Sequence, residues 1–154
     1  MLAGKWTYRS FLNRTALVGD DAAAALALIF GEGVFEFVAE GDDRFRGGLG
    51  MGTNYALTLS ASAVPGDEAA PGSFAIVGTG IDGTPTAGWR YDYRGVISYR
   101  WPNAVGQVPC LLGTVIRVVA HGPDAPAGVT ASFVAVRHSD DPPPRSSRTF
   151  VLVA

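Results

Sequence analysis

The 154-residue sequence has little cysteine and histidine, and this shortage excludes two classes of protein. Cys110 is the only cysteine, so the chain cannot form the internal disulfides that stabilise many small secreted domains. Together with His121 and His138, it supplies three thiol or imidazole groups, whereas a structural zinc site uses about four at close spacing. We therefore expect neither a disulfide framework nor a bound metal.

Charge and long apolar runs are also scarce. Charged residues make up 17% of the chain, compared with ~25% in an average soluble domain, and the net charge of −2 offers no electrostatic footprint for nucleic acid. The longest apolar run, 22–30, has nine residues, well short of the ~20 that span a bilayer. The N-terminus lacks the basic and apolar segments of a secretory signal. We expect no nucleic-acid partner, no membrane association and a cytoplasmic location.

Glycine and proline are plentiful, with 20 and 10 residues, and they separate runs in which polar and apolar side chains alternate. The clearest run, 89–101, has mostly aromatic side chains at odd positions and mostly charged ones at even positions. A period of two predicts a strand with one buried and one exposed face. Similar runs lie at 5–11, 34–39, 54–61, 73–80, 111–121 and 129–138. For 111–121 the predicted buried face includes Leu112 and Ile116, with Arg117 facing outwards.

These runs predict an all-β fold, a single antiparallel up-and-down barrel of about eight strands within residues 1–138. The one helical candidate is 20–28, with Asp20 or Asp21 as its N-cap. The alternative is that this segment runs into a strand that ends at Phe30. The glycine-rich stretch 47–52 is interpreted as a rim loop or a bulged strand. Residues 139–148 form a proline-rich linker, and 149–154 form a last strand or an arm that adds to a partner's sheet in a homo-oligomer.

The first predicted strand opens with Gly4-Lys5-Trp6, which resembles the Gly-x-Trp start of calycin barrels, the lipocalin and avidin group. In that group the tryptophan closes the base of the barrel and an arginine late in the last strand packs across it. The resemblance implies a calycin-like barrel in which Gly4, Trp6 and Arg137 form the base. The stretches 101–103 and 107–109 look like those of uncharacterised bacterial single-domain proteins and imply no function.

Residues 78–83 fit the G-x-G-x-x-G pattern of dinucleotide-binding proteins. Such a site needs a helix directly afterwards, whose N-terminus holds the pyrophosphate. Here the next residues are 84–88, Thr-Pro-Thr-Ala-Gly, followed by a strand. The glycines are therefore predicted to form a hairpin turn, and no cofactor is expected.

An aromatic face is the strongest candidate site. If Trp6 points into the barrel, the same phase of the strands lines the interior with rings, and buried tyrosine hydroxyls need hydrogen-bonding partners. The predicted ligand-binding residues are Tyr8, Phe35, Phe37, Tyr55, Phe74, Trp89, Tyr91, Tyr93 and Phe133. This pattern predicts a cavity that binds a small, largely apolar or aromatic molecule. The alternative is that the tyrosines lie at the barrel mouth with their hydroxyls in water.

Two further functions remain open at this point. A barrel enzyme of the cyclase or isomerase type would use Asp92 or His121 for proton transfer on a small organic substrate. Asp92 lies between Arg90 and Arg94 on one strand face, which is equally typical of an exposed ladder of ion pairs. A structural module that docks through the C-terminal arm is the other alternative. The sequence does not decide whether the protein is an enzyme.

Overall fold

Eight strands form a closed barrel in the computed structural model, which describes residues 1–14, 20–67 and 69–138. The strands are β1 (Gly4–Leu12), β2 (Ile29–Ala39), β3 (Arg44–Gly50), β4 (Ala56–Val64), β5 (Ser73–Gly80), β6 (Arg90–Ile97), β7 (Cys110–Arg117) and β8 (Thr130–Arg137). Each strand pairs antiparallel with the next one in the chain, and β1 pairs with β8 to close the barrel. The predicted all-β, up-and-down barrel is confirmed. The predicted linker, 139–148, and the C-terminal strand or arm, 149–154, lie outside the described residues.

The helical prediction at 20–28 holds in a shorter form. One helix of five residues, α1 (Ala22–Leu26), begins after Asp21, whose Oδ1 accepts hydrogen bonds from the backbone N–H groups of Ala23 and Ala24. This is an ordinary N-cap. The chain then enters β2 at Ile29. No helix within the described ranges is long and apolar enough to cross a membrane.

The structure corrects the prediction made for the glycine-rich stretch 47–52. Its first four residues, 47–50, belong to β3, which pairs in unbroken register with both β2 and β4 and is neither a loop nor bulged. A Cβ atom on Gly47 would lie 1.8 Å from the backbone oxygen of Glu36, so β2 approaches β3 too closely for any side chain there. Glycine at this position permits the close strand contact rather than adding flexibility.

The face of β7 was predicted wrongly. Leu111 and Val115 are buried, whereas Leu112 and Ile116 are 43% and 38% exposed on the outer surface. The run carries apolar residues in both phases, so alternation alone cannot select the inner face. As a consequence, Arg117 shares the inward phase of Leu111 and Val115 instead of facing outwards.

Side chains fill the barrel interior. The rings of Tyr8, Phe35, Tyr93 and Phe133 contact one another, with centroids 4.7 to 6.3 Å apart. These separations are those of directly packed aromatic rings. Phe37 and Phe74 extend the cluster at 5.7 and 6.1 Å from their nearest partners. The centre of the barrel is therefore a packed core.

We call the end of the barrel at which β1 begins and β8 ends the base. Trp6 is fully buried there and its indole Nε1 donates a hydrogen bond to the Leu2 carbonyl at 2.7 Å. The Arg137 guanidinium lies over the indole, 5.4 Å from the ring centroid. A Cβ atom on Gly4, which has φ +117°, would lie 3.0 Å from the same guanidinium. Gly4, Trp6 and Arg137 therefore lie together at the base.

Candidate functional site

The opposite end of the barrel, which we call the mouth, carries a cluster of aromatic and basic side chains. Odd-numbered strands end at the mouth and even-numbered strands begin there, so residues distant in the sequence meet. The members of this mouth cluster are Phe30, Tyr55, Trp89, Tyr91, Arg117 and His121. Tyr91 is 7% exposed and Tyr55 is 46% exposed, and the other four are half-buried.

The turn between β5 and β6 positions Trp89. The Gly80 N–H donates to the Trp89 carbonyl at 2.8 Å, and the Trp89 N–H donates to the Thr86 carbonyl at 3.0 Å. Thr86 is fully buried, and its hydroxyl donates to the Ala56 carbonyl at the start of β4. A Cβ atom on Gly80 would lie 1.6 Å from the Thr86 oxygen, so the returning chain requires glycine. The motif 78–83 thus builds a hairpin turn, as its flanking sequence predicted.

Trp89 is the centre of a stack of three rings. The imidazole of His121 lies almost parallel to the indole, with centroids 3.8 Å apart and an interplanar angle of 13°. Tyr55 lies at 5.9 Å from the indole with an angle of 26°. The His121 backbone N–H donates to the Ala125 carbonyl, and this hydrogen bond closes a tight turn over residues 121–125. The three side chains of the stack remain partly exposed to solvent at the mouth.

A hydrogen-bonded chain runs beneath this stack. The Tyr91 hydroxyl is 2.5 Å from His121 Nε2, and it accepts a hydrogen bond from Arg117 Nε at 3.2 Å. Because Arg117 can only donate, the Tyr91 proton is free to point at the imidazole. His121 then accepts at Nε2 as a neutral ring that carries its proton on Nδ1. The arrangement connects a phenol, an imidazole and a guanidinium.

Burial and the nearby charge of Arg117 both lower the pKa of His121 below its ordinary value, burial having the larger effect. Arg117 is held over the Phe30 ring, 5.0 Å from its centroid, and its Nη1 donates to the Pro126 carbonyl at 3.1 Å. Arg117 takes part in none of the four ion pairs formed among the described residues. Among the described residues, the Arg117 guanidinium therefore has no carboxylate within ion-pairing distance.

The predicted ligand-binding residues separate into two groups. Tyr55, Trp89 and Tyr91 belong to the mouth cluster. The other six, Tyr8, Phe35, Phe37, Phe74, Tyr93 and Phe133, belong to the packed core and are at most 5% exposed. The structure thus divides the predicted aromatic site between an exposed end and a filled interior.

The Tyr8 hydroxyl, buried in the core, finds its polar partner within the protein. The Tyr8 hydroxyl donates to Ser10 Oγ at 2.8 Å, and Ser10, itself fully buried, donates to the Gly31 carbonyl at 3.1 Å. Burial raises the pKa of Tyr8 to about 12 and holds the pKa of Tyr93 well above its ordinary value. The tyrosines predicted a cavity with polar groups on its wall, but a serine satisfies Tyr8 directly.

The two predicted catalytic residues do not meet. Asp92 lies on the outer face of β6, where its carboxylate pairs with Arg90 at 3.1 Å and its side chain is 28% exposed. His121 lies at the mouth, where it contacts Trp89 and Tyr91. The interior role that the sequence suggested for Asp92 does not fit this position, and the exposed ion pair does.

Other surface features lie apart from both groups of rings. A depression of about 840 Å³ at the base is bordered by Met1, Pro65, Tyr99 and Pro102 among others. Among the described residues, no group of three or more histidine, cysteine, aspartate or glutamate side chains is placed to hold a metal ion. The mouth cluster is thus the place where half-exposed rings and polar groups converge.

Sequence reasoning missed Phe30 and Arg117. Phe30 lies two residues beyond the predicted helical segment 20–28 and was given no role, and Arg117 was assigned to the outer face of its strand. A signal was available, because Leu111, Gly113, Val115 and Arg117 are all at odd positions and therefore share one face of the strand.

No protein-family model, no curated protein and no solved structure matches the chain.

Proposed function

We propose that the protein binds a small, planar aromatic molecule at the mouth of its barrel. The observation that carries this proposal is the stack of Tyr55, Trp89 and His121, whose side chains remain partly exposed to solvent. Half-exposed stacked rings gain free energy when a further ring covers them, through apolar burial and offset stacking of ~0.5–1.5 kcal/mol per pair. The packed core beneath gives the stack a rigid support.

The mouth is a better binding place than the interior because the interior offers no room without displacing rings. A ligand inside would have to separate Tyr8, Phe35, Tyr93 and Phe133, which pack at contact distance. A ligand at the mouth would displace water alone. The proposal therefore keeps the predicted ligand class and moves its site to the end of the barrel.

Isothermal titration calorimetry with 2-naphthamide, a neutral planar probe, tests the proposal. We expect saturable binding to the unmodified protein and at least about tenfold weaker binding by Tyr55→Ala, whose ring is 46% exposed and little involved in folding. Trp89→Leu should weaken binding in the same way. Trp101→Leu is the matched control, because Trp101 is 68% exposed in the loop at the base.

Absence of binding to the unmodified protein overturns the proposal, as does equal weakening by Trp101→Leu. Thermal unfolding of each variant checks that the barrel remains folded. Native mass spectrometry of freshly purified protein provides an independent measurement, since a ligand carried through purification appears as an added mass that Tyr55→Ala loses.

A second candidate function, an isomerase or cyclase, is favoured by the contact between Tyr91 and His121. A neutral imidazole that accepts a short hydrogen bond from a phenol is suited to moving a proton. Incubation with a small-metabolite extract, followed by chromatography and mass spectrometry, would reveal a compound whose retention changes while its mass is conserved. Conversion by the unmodified protein but not by His121→Asn, with thermal unfolding showing that the variant is folded, is the result expected of an enzyme. Conversion that persists in His121→Asn would exclude His121 as the catalytic residue.

A further inference from the structure

We propose that the molecule bound at the mouth is an aromatic acid, whose anionic oxygen group is held by Arg117. This inference rests on the proposed function and specifies the chemical class of the ligand. Carboxylate and phosphate share the chemistry that a guanidinium recognises, a planar pair of donors facing two anionic oxygens.

The first support is an uncompensated charge. Arginine is charged at every ordinary pH, and half-burial without a carboxylate leaves part of its solvation unreplaced. Among the described residues, Lys5, Arg9, Arg46 and Arg90 each have an acidic partner. The described basic residues other than Arg117 that lack one are all exposed to solvent: Arg14, Arg44, Arg94, Arg100 and Arg137. Arg117 has none there, although it is held in place from several sides.

The second support is the state of the donors. A guanidinium has five N–H groups, of which the contacts described occupy one on Nε, with Tyr91, and one on Nη1, with Pro126. The Phe30 ring covers one face of the group. These contacts fix the orientation of the fork and leave N–H groups for an additional acceptor. A fixed donor loses little conformational entropy when it binds an anion.

The third support is proximity to the ring stack. Tyr91 joins the two features, since its hydroxyl contacts both Arg117 and His121, and His121 lies against Trp89. If Arg117 holds the acidic group of a ligand, the aromatic ring of that ligand therefore lies close to the stack. The lowered pKa of His121 leaves the imidazole uncharged at neutral pH, so Arg117 is the cation of the mouth cluster.

Arg137 at the base supports the alternative explanation, in which Arg117 serves packing alone and binds no anion. It also covers an aromatic ring and also lacks a carboxylate partner within the described part of the chain. An arginine can therefore serve packing alone. Arg137 is exposed to solvent, however, whereas Arg117 is half-buried and anchored through two hydrogen bonds.

Three probes with one ring system distinguish the explanations by isothermal titration calorimetry: 2-naphthamide, 2-naphthoate and 2-naphthyl phosphate. We expect at least one anionic probe to bind about tenfold or more tightly than the neutral amide, because hydrogen bonds to charged groups are stronger than neutral ones. The order of the two anions tells whether carboxylate or phosphate is preferred. Raising the salt concentration should weaken the binding of the two anions and leave the binding of the amide unchanged.

Equal binding of all three probes overturns the inference while leaving the proposed function intact. No binding of any probe overturns both. Arg117→Gln should abolish the preference for the anion and retain amide binding, whereas Arg94→Gln, on the exposed outer face of β6, should retain the preference. A preference that survives Arg117→Gln also overturns the inference. If Arg117→Gln fails to fold, the comparison of probes on the unmodified protein still decides.

Discussion

Truncation of one ring at the centre of the barrel measures directly whether the interior is filled. Phe133 is 4% exposed, and its centroid lies 5.5 to 6.3 Å from those of Tyr8, Phe35, Phe74 and Tyr93. In a packed core, Phe133→Ala removes the transfer free energy of the ring and leaves a cavity, which together cost ~3–5 kcal/mol. At ~2–4 °C per kcal/mol for a protein of this size, the midpoint of thermal unfolding should fall by roughly 6–20 °C.

The assay is chemical denaturation, with the free energy of unfolding taken from the midpoint and the slope. Trp101→Ala, an equally large truncation at an exposed position, is the control and should change the free energy by no more than ~0.5 kcal/mol. The cavity in Phe133→Ala should also accept benzene, which would restore part of the lost stability by binding the folded state. A cost of Phe133→Ala below about 1.5 kcal/mol, with no effect of benzene, would refute the packed interior.

Three further predictions concern Gly47, His121 and the C-terminal residues 139–154. Gly47→Ala should destabilise the barrel by about 3 kcal/mol or more, because its Cβ would overlap the Glu36 carbonyl, whereas Gly48→Ala, with 3.5 Å of space, should be neutral; equal unfolding midpoints would contradict this. Because the pKa of His121 is lowered in the folded state, the unfolded chain binds more protons below its ordinary value of 6.5, so stability should fall as pH falls through that value. The slope of unfolding free energy against pH should become shallower in His121→Asn, and an unchanged slope would count against the shift. Removal of 139–154 should reduce any homo-oligomer seen by analytical ultracentrifugation, and an unaltered oligomeric state would exclude the arm as its cause.

The fold followed from alternation wherever one phase of a strand was clearly polar. Phe35 and Phe37 in β2, and Phe133 and Ala135 in β8, were assigned to the inner face and are buried there. Alternation failed in β7, where Leu111 stands beside Leu112 and both phases are apolar. Only pairing with the neighbouring strands selects the face in such a case, and a single sequence does not contain that pairing.

The site was predictable in its chemistry but not in its location. Trp89, Tyr91 and His121 were each identified from the sequence, yet nothing local indicated that a ring 30 residues away would bind the Tyr91 hydroxyl. The predicted cavity rested on the polar needs of buried tyrosines. For Tyr8 the need is met locally, because Ser10 lies two residues further along the same strand face and accepts from its hydroxyl. For Tyr91 the partners are Arg117 and His121, tertiary contacts that periodicity does not reveal.

The pairing of β1 with β8 has a consequence for how the barrel forms. Seven of the strand contacts join neighbours in the chain, but Tyr8 and Ala135 come from opposite ends of the described sequence. The entropy of closing so long a loop favours a meander that forms first and a seam that forms last. Trp6 lies at that seam and pairs with Arg137 across it. Fluorescence of its indole therefore reports the final step of folding, once the half-buried Trp89 and the exposed Trp101 are replaced by residues other than tryptophan.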